Sequence, residues 1–308
     1  MLFRTIKIWD LAKCCAGAEG GLKLTLTGHI NAVRGLAVSQ RHPYLFSCSE
    51  DKKVFCWDLE YNKVIRHYHG HLSAVFCCTI HPTLDLLFTG GRDSVTRVWD
   101  IRTKQQIHVL GGHSGAVSSI IANPVDPQVI SASHDSTIKL WDLAAGKSMS
   151  TLTQHKKAVR AIAGSNKEFT FASASADNVK KWQCRDGKFL RNMTPANCVQ
   201  NCAAINDDGV LVCGGDNGSL NFWDYETGYR FQSTDTIVQP GMLLPCLQLR
   251  IAAVSLLVTN NMLWLLLLLL LLWLLLCRVV GCGGGYIRHG FRFEWKVRWF
   301  VLSAFPLH

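Results

Sequence analysis

No Cys-x-x-Cys pair occurs anywhere in the 308 residues, although the chain has 13 cysteines. That excludes the ligand spacing of a zinc ribbon and the dithiol of a thioredoxin-type redox site. No secretory signal precedes the cysteines, which are scattered and include the adjacent pairs Cys14-Cys15 and Cys77-Cys78. Free thiols in a reducing compartment are expected rather than a disulfide framework. Charge is scarce, at 18% of residues against 48% hydrophobic side chains, which excludes a disordered or collagen-like chain. A phosphate loop is also lacking. Gly214-Gly215-Asp216-Asn217-Gly218 has no Lys and Ser/Thr after it and reads as a hairpin turn, and Gly283 to Gly285 is followed by no Lys. The 32 Lys plus Arg exceed the 22 Asp plus Glu, but the excess is divided: 26 against 21 over residues 1–241, and 6 against 1 over 242–308. Neither part has the concentrated positive field of a strong nucleic-acid binder.

What is present falls into two regions. After Pro240-Gly241 a mixed, turn-rich sequence gives way to a leucine-dominated one, with sixteen consecutive apolar residues from Met262 to Cys277. As a helix that run extends roughly 24 Å, short of the ~30 Å hydrocarbon core unless Arg278 snorkels and Val279 and Val280 join the span. Residues 242–308 are therefore treated as a separate tail with two readings: a membrane or interfacial segment over 262–280, or unselected sequence such as a retained intron or shifted frame.

Residues 1–241 are a repeat. Gly28-His29, Gly70-His71, Gly112-His113 and Gln154-His155 fall 42 residues apart. Trp57-Asp58, Trp99-Asp100 and Trp141-Asp142 follow 28 residues after their histidines, and Trp182 follows 27 after His155. Trp9-Asp10 and Trp223-Asp224 extend the series, with Pro195-Ala196 where Gly-His would stand. Each unit reads as short period-two apolar runs, such as Val33 to Val38 and Tyr44 to Cys48, separated by turn residues. An all-β architecture is predicted.

This pattern resembles the WD40 family, in which each repeat supplies most of a four-stranded blade and the blades fan about a channel. The resemblance covers residues 4–241 and implies a structural hydrogen-bond network in four units. Its members are His29, Ser47, Asp51, Trp57; His71, Thr89, Asp93, Trp99; His113, Ser131, Asp135, Trp141; and His155, Ser173, Asp177, Trp182. Ser, His and Asp together invite a hydrolase reading, but a catalytic triad needs one exposed nucleophile beside one oxyanion hole, whereas this set recurs with a Trp closing each copy. Neither a catalytic residue nor a cofactor is expected. His67, His69 and His71 alternate as metal ligands could, but the network claims His71, so no metal site is expected.

A closer resemblance, to splicing-associated WD-repeat proteins, rests on Arg4 to Leu11 (RTIKIWDL), Asp58 to Val75, His155 to Ala161 (HKKAVRA), Asp177 to Trp182 (DNVKKW) and Val238 to Gly241 (VQPG). It implies a non-catalytic nuclear scaffold whose partners are protein subunits of a Prp-nineteen-type splicing complex. It also implies seven blades, of which this sequence matches five in full and part of the first: an incomplete propeller, matched short at both ends. By analogy with the family, the rim of the channel binds partners through the positions five after each histidine (Arg34, Phe76, Ser118, Arg160) and one before each turn aspartate (Glu50, Arg92, His134, Ala176). Arg34, Phe76, Arg92 and Arg160 are the expected anchors, since Arg and aromatics carry hot-spot energy. Lys156, Lys157, Lys180 and Lys181 suggest a modest basic patch and at most weak RNA contact, for no stacking aromatics interleave with them. The alternatives are a membrane-anchored adaptor facing the cytosol and a non-functional truncated product.

Overall fold

The computed structural model describes residues 4–10, 21–126, 128–165, 167–194, 198–235 and 300–301. All regular structure among them is β-strand. The first strands, β1 (Thr5–Trp9) and β2 (Leu22–Thr27), form an antiparallel pair. Five four-stranded antiparallel meanders follow. The second sheet contains β3 (Val33–Val38), β4 (Tyr44–Ser49), β5 (Val54–Asp58) and β6 (Lys63–Tyr68). The third contains β7 (Val75–Ile80), β8 (Leu86–Gly91), β9 (Thr96–Asp100) and β10 (Gln106–Leu110). The fourth contains β11 (Val117–Ala122), β12 (Val129–Ser133), β13 (Ile138–Asp142) and β14 (Lys147–Leu152). The fifth contains β15 (Val159–Ser165), β16 (Thr170–Ser175), β17 (Val179–Gln183) and β18 (Phe189–Asn192). The sixth contains β19 (Gln200–Ile205), β20 (Val210–Gly215), β21 (Ser219–Asp224) and β22 (Arg230–Asp235). Residues 300–301 form β23 (Phe300–Val301), paired with the other edge of β1.

The first strands of the five complete sheets lie against one another in sequence order, and the second strand of each sheet lies against the first strand of the next. The first strands are thus innermost, and the sheets fan outward from them as the blades of an incomplete propeller. Both faces of a blade are covered, so the middle strands are buried almost throughout, as in Tyr44–Ser49, where five of six residues are buried. The core lies in the seams between blades. Phe46, Leu87 and Trp99 meet in one, Phe88, Val117 and Trp141 in the next, then Ile130, Phe171 and Trp182, and finally Met193, Leu211 and Trp223. Each such large side chain contributes about 1.5–3 kcal/mol on burial, and no blade could bury its faces alone.

The aspartate of each Trp-Asp pair has a local task. Asp58, Asp100, Asp142 and Asp224 accept the backbone N–H two residues on at 2.7–3.1 Å, capping the turn into the outer strand. That turn ends on a left-handed residue in every complete blade: Asn62, Lys104, Gly146, Gly187 and Gly228, all with φ of 58–71°. The tail 242–308 and its span 262–280 lie outside the described residues, apart from 300–301. No helix among the described residues is long and apolar enough to cross a membrane.

Candidate functional site at the channel mouth

Four networks sit at one end of the blades. In the second sheet His29 Nδ1 lies 2.8 Å from Asp51 Oδ2, His29 Nε2 lies 2.7 Å from Ser47 Oγ, and the Trp57 indole N–H donates to Ser47 Oγ at 2.8 Å. The same three contacts, at 2.6–3.3 Å, join His71, Asp93, Thr89 and Trp99, His113, Asp135, Ser131 and Trp141, and His155, Asp177, Ser173 and Trp182. Burial holds the His29, His113 and His155 imidazoles below their usual value, with the hydrogen bond to the aspartate opposing it. A neutral ring pairs each histidine, hydroxyl and indole: Nδ1–H donates to the carboxylate, Nε2 accepts the hydroxyl proton, and that oxygen accepts the indole; Asp93 Oδ1 stays buried without a partner. The hydroxyls of Ser47, Thr89, Ser131 and Ser173 belong to residues at 0% exposure. The Ser-His-Asp geometry therefore lacks the exposed nucleophile that acyl transfer requires.

The sixth sheet replaces this network. Cys213 is buried among the core residues, and the Trp223 indole donates instead to the Thr194 carbonyl and hydroxyl oxygens, both at 3.1 Å. Thr194 precedes the Pro195-Ala196 that stands for Gly-His, and this substitute was not legible from the spacing.

The rim positions share a backbone device. In each complete blade the ladder between first and second strands slips by one residue near the mouth: Val33↔Ser49 is followed by Gly35↔Cys48, Val75↔Gly91 by Cys77↔Gly90, Val117↔Ser133 by Ser119↔Ala132, Val159↔Ser175 by Ala161↔Ala174, and Gln200↔Gly215 by Cys202↔Gly214. The skipped residues are Arg34, Phe76, Ser118, Arg160 and Asn201. Each is the extra residue of a β-bulge, a feature that re-aims a side chain out of the ladder. Beside each bulge, the backbone N–H of Glu50, Arg92, His134, Ala176 or Asp216 donates to the carbonyl of Ala32, Ala74, Ala116, Ala158 or Val199 at 2.8–3.4 Å. Every blade therefore presents two rim residues on a pinned backbone. Asn201 and Asp216 complete the series in the sixth sheet. Their spacing to a histidine is lost because the His is replaced, and Gln200 stands where the other first strands have valine.

The rim side chains differ in how far they are committed. Arg34 is ion-paired to Glu50, with its Nε donating at 2.6 Å. Arg160 donates to Asn201 Oδ1 of the next blade at 2.6 Å, while its Nε is buried without a partner. Ser118 donates to the Val159 carbonyl at 2.8 Å. Arg92 is exposed and Phe76 half-buried. Burial, with the Arg160 charge, holds His134 below its usual value.

The four lysines do not form one patch. Alternate residues of a strand face opposite sides of the sheet, and Lys180 and Lys181 are each 8% exposed in the seams on either side of β17. Lys180 donates to the Gln154 carbonyl at 2.6 Å; Lys181 pairs with Glu168 at 2.7 Å and lies 4.1 Å over the Tyr225 ring. Only Lys156 and Lys157 are exposed. His67 and His69 stack at 6.2 Å, while His71 is turned into its network. Among the described residues no group of three or more His, Cys, Asp or Glu is placed to hold a metal.

Residues 29–223 match the family described as Nucleolar protein 10-like, N-terminal domain, a β-propeller. Pre-mRNA-splicing factor PRP46 of Kluyveromyces lactis is 60% identical over 240 residues, 78% of this chain and 54% of that protein. Pleiotropic regulator 1 of Homo sapiens is 57% identical over 77 residues, covering 25% of this chain and 15% of that protein. Protein pleiotropic regulator PRL2 of Arabidopsis thaliana is 61% identical over 78 residues, 25% of this chain and 16% of that protein. The chain thus spans from 15% to 54% of the length of these curated relatives. With its 42-residue blades and four Trp-closed networks, the chain belongs to the WD40 β-propeller family that includes the Nucleolar protein 10-like N-terminal domain, as a homologue of pleiotropic regulator 1 and PRP46.

Proposed function

We propose that the chain is a non-catalytic scaffold of pre-mRNA splicing that acts in the nucleus and holds protein subunits of a Prp-nineteen-type complex at the bulge ring. One observation carries the reading. The His, hydroxyl and Trp groups that could do chemistry are buried and bonded to one another in the same way in four blades, whereas the pair of rim residues differs from blade to blade. Repeated networks set a rigid frame, and varied side chains on that frame are what a specific docking surface requires. Phe76 and Arg92 neighbour each other on the third blade and supply an aromatic and a guanidinium, the residue types that dominate interface energy. Arg34 and Arg160 are positioning residues of the ring as well as candidate contacts, since each already holds a neighbour. The splicing assignment draws on the relatives PRP46 and pleiotropic regulator 1, and the burial of Lys180 and Lys181 favours protein over RNA as the partner.

The test is capture of splicing-complex subunits from nuclear extract by purified chain, comparing the native sequence with Phe76→Ala/Arg92→Glu. Loss of at least tenfold of the captured subunits, with unchanged melting of the variant, supports the reading. Equal capture by both proteins overturns it. Capture that falls steeply with added salt and vanishes on ribonuclease treatment makes RNA the bridge instead.

A further inference from the structure

The opposite end of the blades carries a second site. Tyr44↔Asp58 and Leu86↔Asp100 mark the ends of their sheets farthest from the mouth. There, between the second and third blades, a cleft of about 270 Å³ is walled by Arg41, His42, Tyr44, Arg66, Asp85 and Arg102. Its single carboxylate is already engaged: Arg41 donates to Asp85 Oδ1 at 3.0 Å and to the Thr83 carbonyl at 2.6 Å, and His42 Nε2 lies 3.6 Å from the same carboxylate oxygen. Arg66 stands over the Tyr44 ring, 5.5 Å from its centroid. Arg102 projects from the turn after β9 and is exposed. Among the described residues neither Arg66 nor Arg102 is ion-paired to a carboxylate. Three guanidinium groups and His42 thus line the cleft with one carboxylate, so the lining is net positive, although Asp100, two residues before Arg102, offsets part of that side chain's charge.

We infer that this cleft binds a phosphorylated side chain presented by a segment of a partner protein. A phosphoryl group carries close to two negative charges and three acceptor oxygens, which matches an arginine-rich lining with Arg66 and Arg102 outside any ion pair better than a single carboxylate does. Guanidinium forks recognise such an anion bidentately. A nucleic acid is disfavoured, because Tyr44, the one aromatic in the lining, already has Arg66 over its ring and the His42 ring tilted beside it at 5.6 Å. This site lies across the molecule from the mouth and does not depend on the reading given for it.

Fluorescence anisotropy with the full chain tests the proposal. The probes are a labelled Gly/Ala peptide with one central phosphoserine, its unphosphorylated twin, and a uridine octamer. The phosphopeptide is expected to bind at least tenfold more tightly than either other probe. Arg102→Glu, an exposed substitution that leaves the fold intact, is expected to weaken it at least tenfold, and Arg66→Lys by a smaller factor, while Arg92→Glu at the mouth leaves it unchanged. Equal affinity for the phosphorylated and unphosphorylated peptides, no binding at millimolar peptide, tighter binding of the octamer, or indifference to Arg102→Glu would each overturn it.

Discussion

A buried hydroxyl joins two blade elements that apolar packing alone would not hold in register. Ser131 Oγ meets His113 Nε2 at 2.8 Å and the Trp141 indole at 2.8 Å. In Ser131→Ala both partners stay buried with nothing to bond, which costs about 1–3 kcal/mol for such a group. A urea midpoint shifted down with an unchanged slope is the expected result, and a shift below about 0.5 kcal/mol would mean the network is energetically idle. The same residues set the pH response. His29, His113 and His155 are held below the ordinary 6.5 by burial. The unfolded chain therefore takes up protons first as pH falls, and this stability, full above about 6.5, is lost below that value. Asp135 and Asp177, lowered to about 2 against the desolvation that opposes it, by hydrogen bonds from Thr137 and Ser175 foremost, add a second loss between 3.8 and about 2. Melting temperature followed from pH 8 to 3 should fall in those two windows. A flat curve between 7 and 5 would show the histidines charged in the fold.

At the scale of the strand, close approach of neighbours decides which residues fit. The third residue of each innermost strand is small: Gly35, Cys77, Ser119, Ala161 and Cys202. A Cβ at Gly35 would stand 2.7 Å from Cys48 Sγ, 3.2 Å from the Phe76 carbonyl oxygen and 3.3 Å from Cys77 Cα. Because two of those neighbours are backbone of the adjacent blade, Gly35→Val must push β3 off β7. Overpacking of that kind costs about 1–3 kcal/mol, and the shift displaces Arg34 and Phe76 together. A Gly35→Val protein that melts with the native one and keeps its partner would contradict the packing. The strands, their order and the four networks were legible in the sequence, because a meander of fixed length places His, hydroxyl, Asp and Trp at fixed offsets. The bulges were not, since a slipped register leaves no residue-type mark; Arg34 and Phe76 were found only through family resemblance, and Asn201 was missed when its histidine disappeared. Period-two alternation did contain the fate of Lys180 and Lys181, but charge hides it, because adjacent lysines invite a surface reading. The cleft around Arg66 draws its walls from three separate turns, and no linear pattern joins Arg41, Asp85 and Arg102.

Across the molecule, each complete blade packs mainly on its sequence neighbours: β7 meets β3 and β4 on one side and β11 on the other, and β15 meets β11 and β12 on one side and β19 on the other. Stability in such an array is close to a sum of blade terms and nearest-neighbour seam terms. A defect should then spread only as far as the seams it touches. Ser131→Ala loosens β12 and, through Trp141, the seam holding Phe88, Val98 and Val117. Amide hydrogen exchange of that variant is expected to accelerate in β11–β14 and in the facing strands of the third and fifth blades, leaving β19–β22 at the native rate. Uniform acceleration through all the sheets would mean that the blades open as one cooperative unit, and the additive picture would fail. The distinction bears on function, since a frame with local seams can lose one blade's network and still hold Arg92, Phe76 and the far-side arginines in place. Under a single cooperative opening, any network lesion would degrade the mouth and the cleft together.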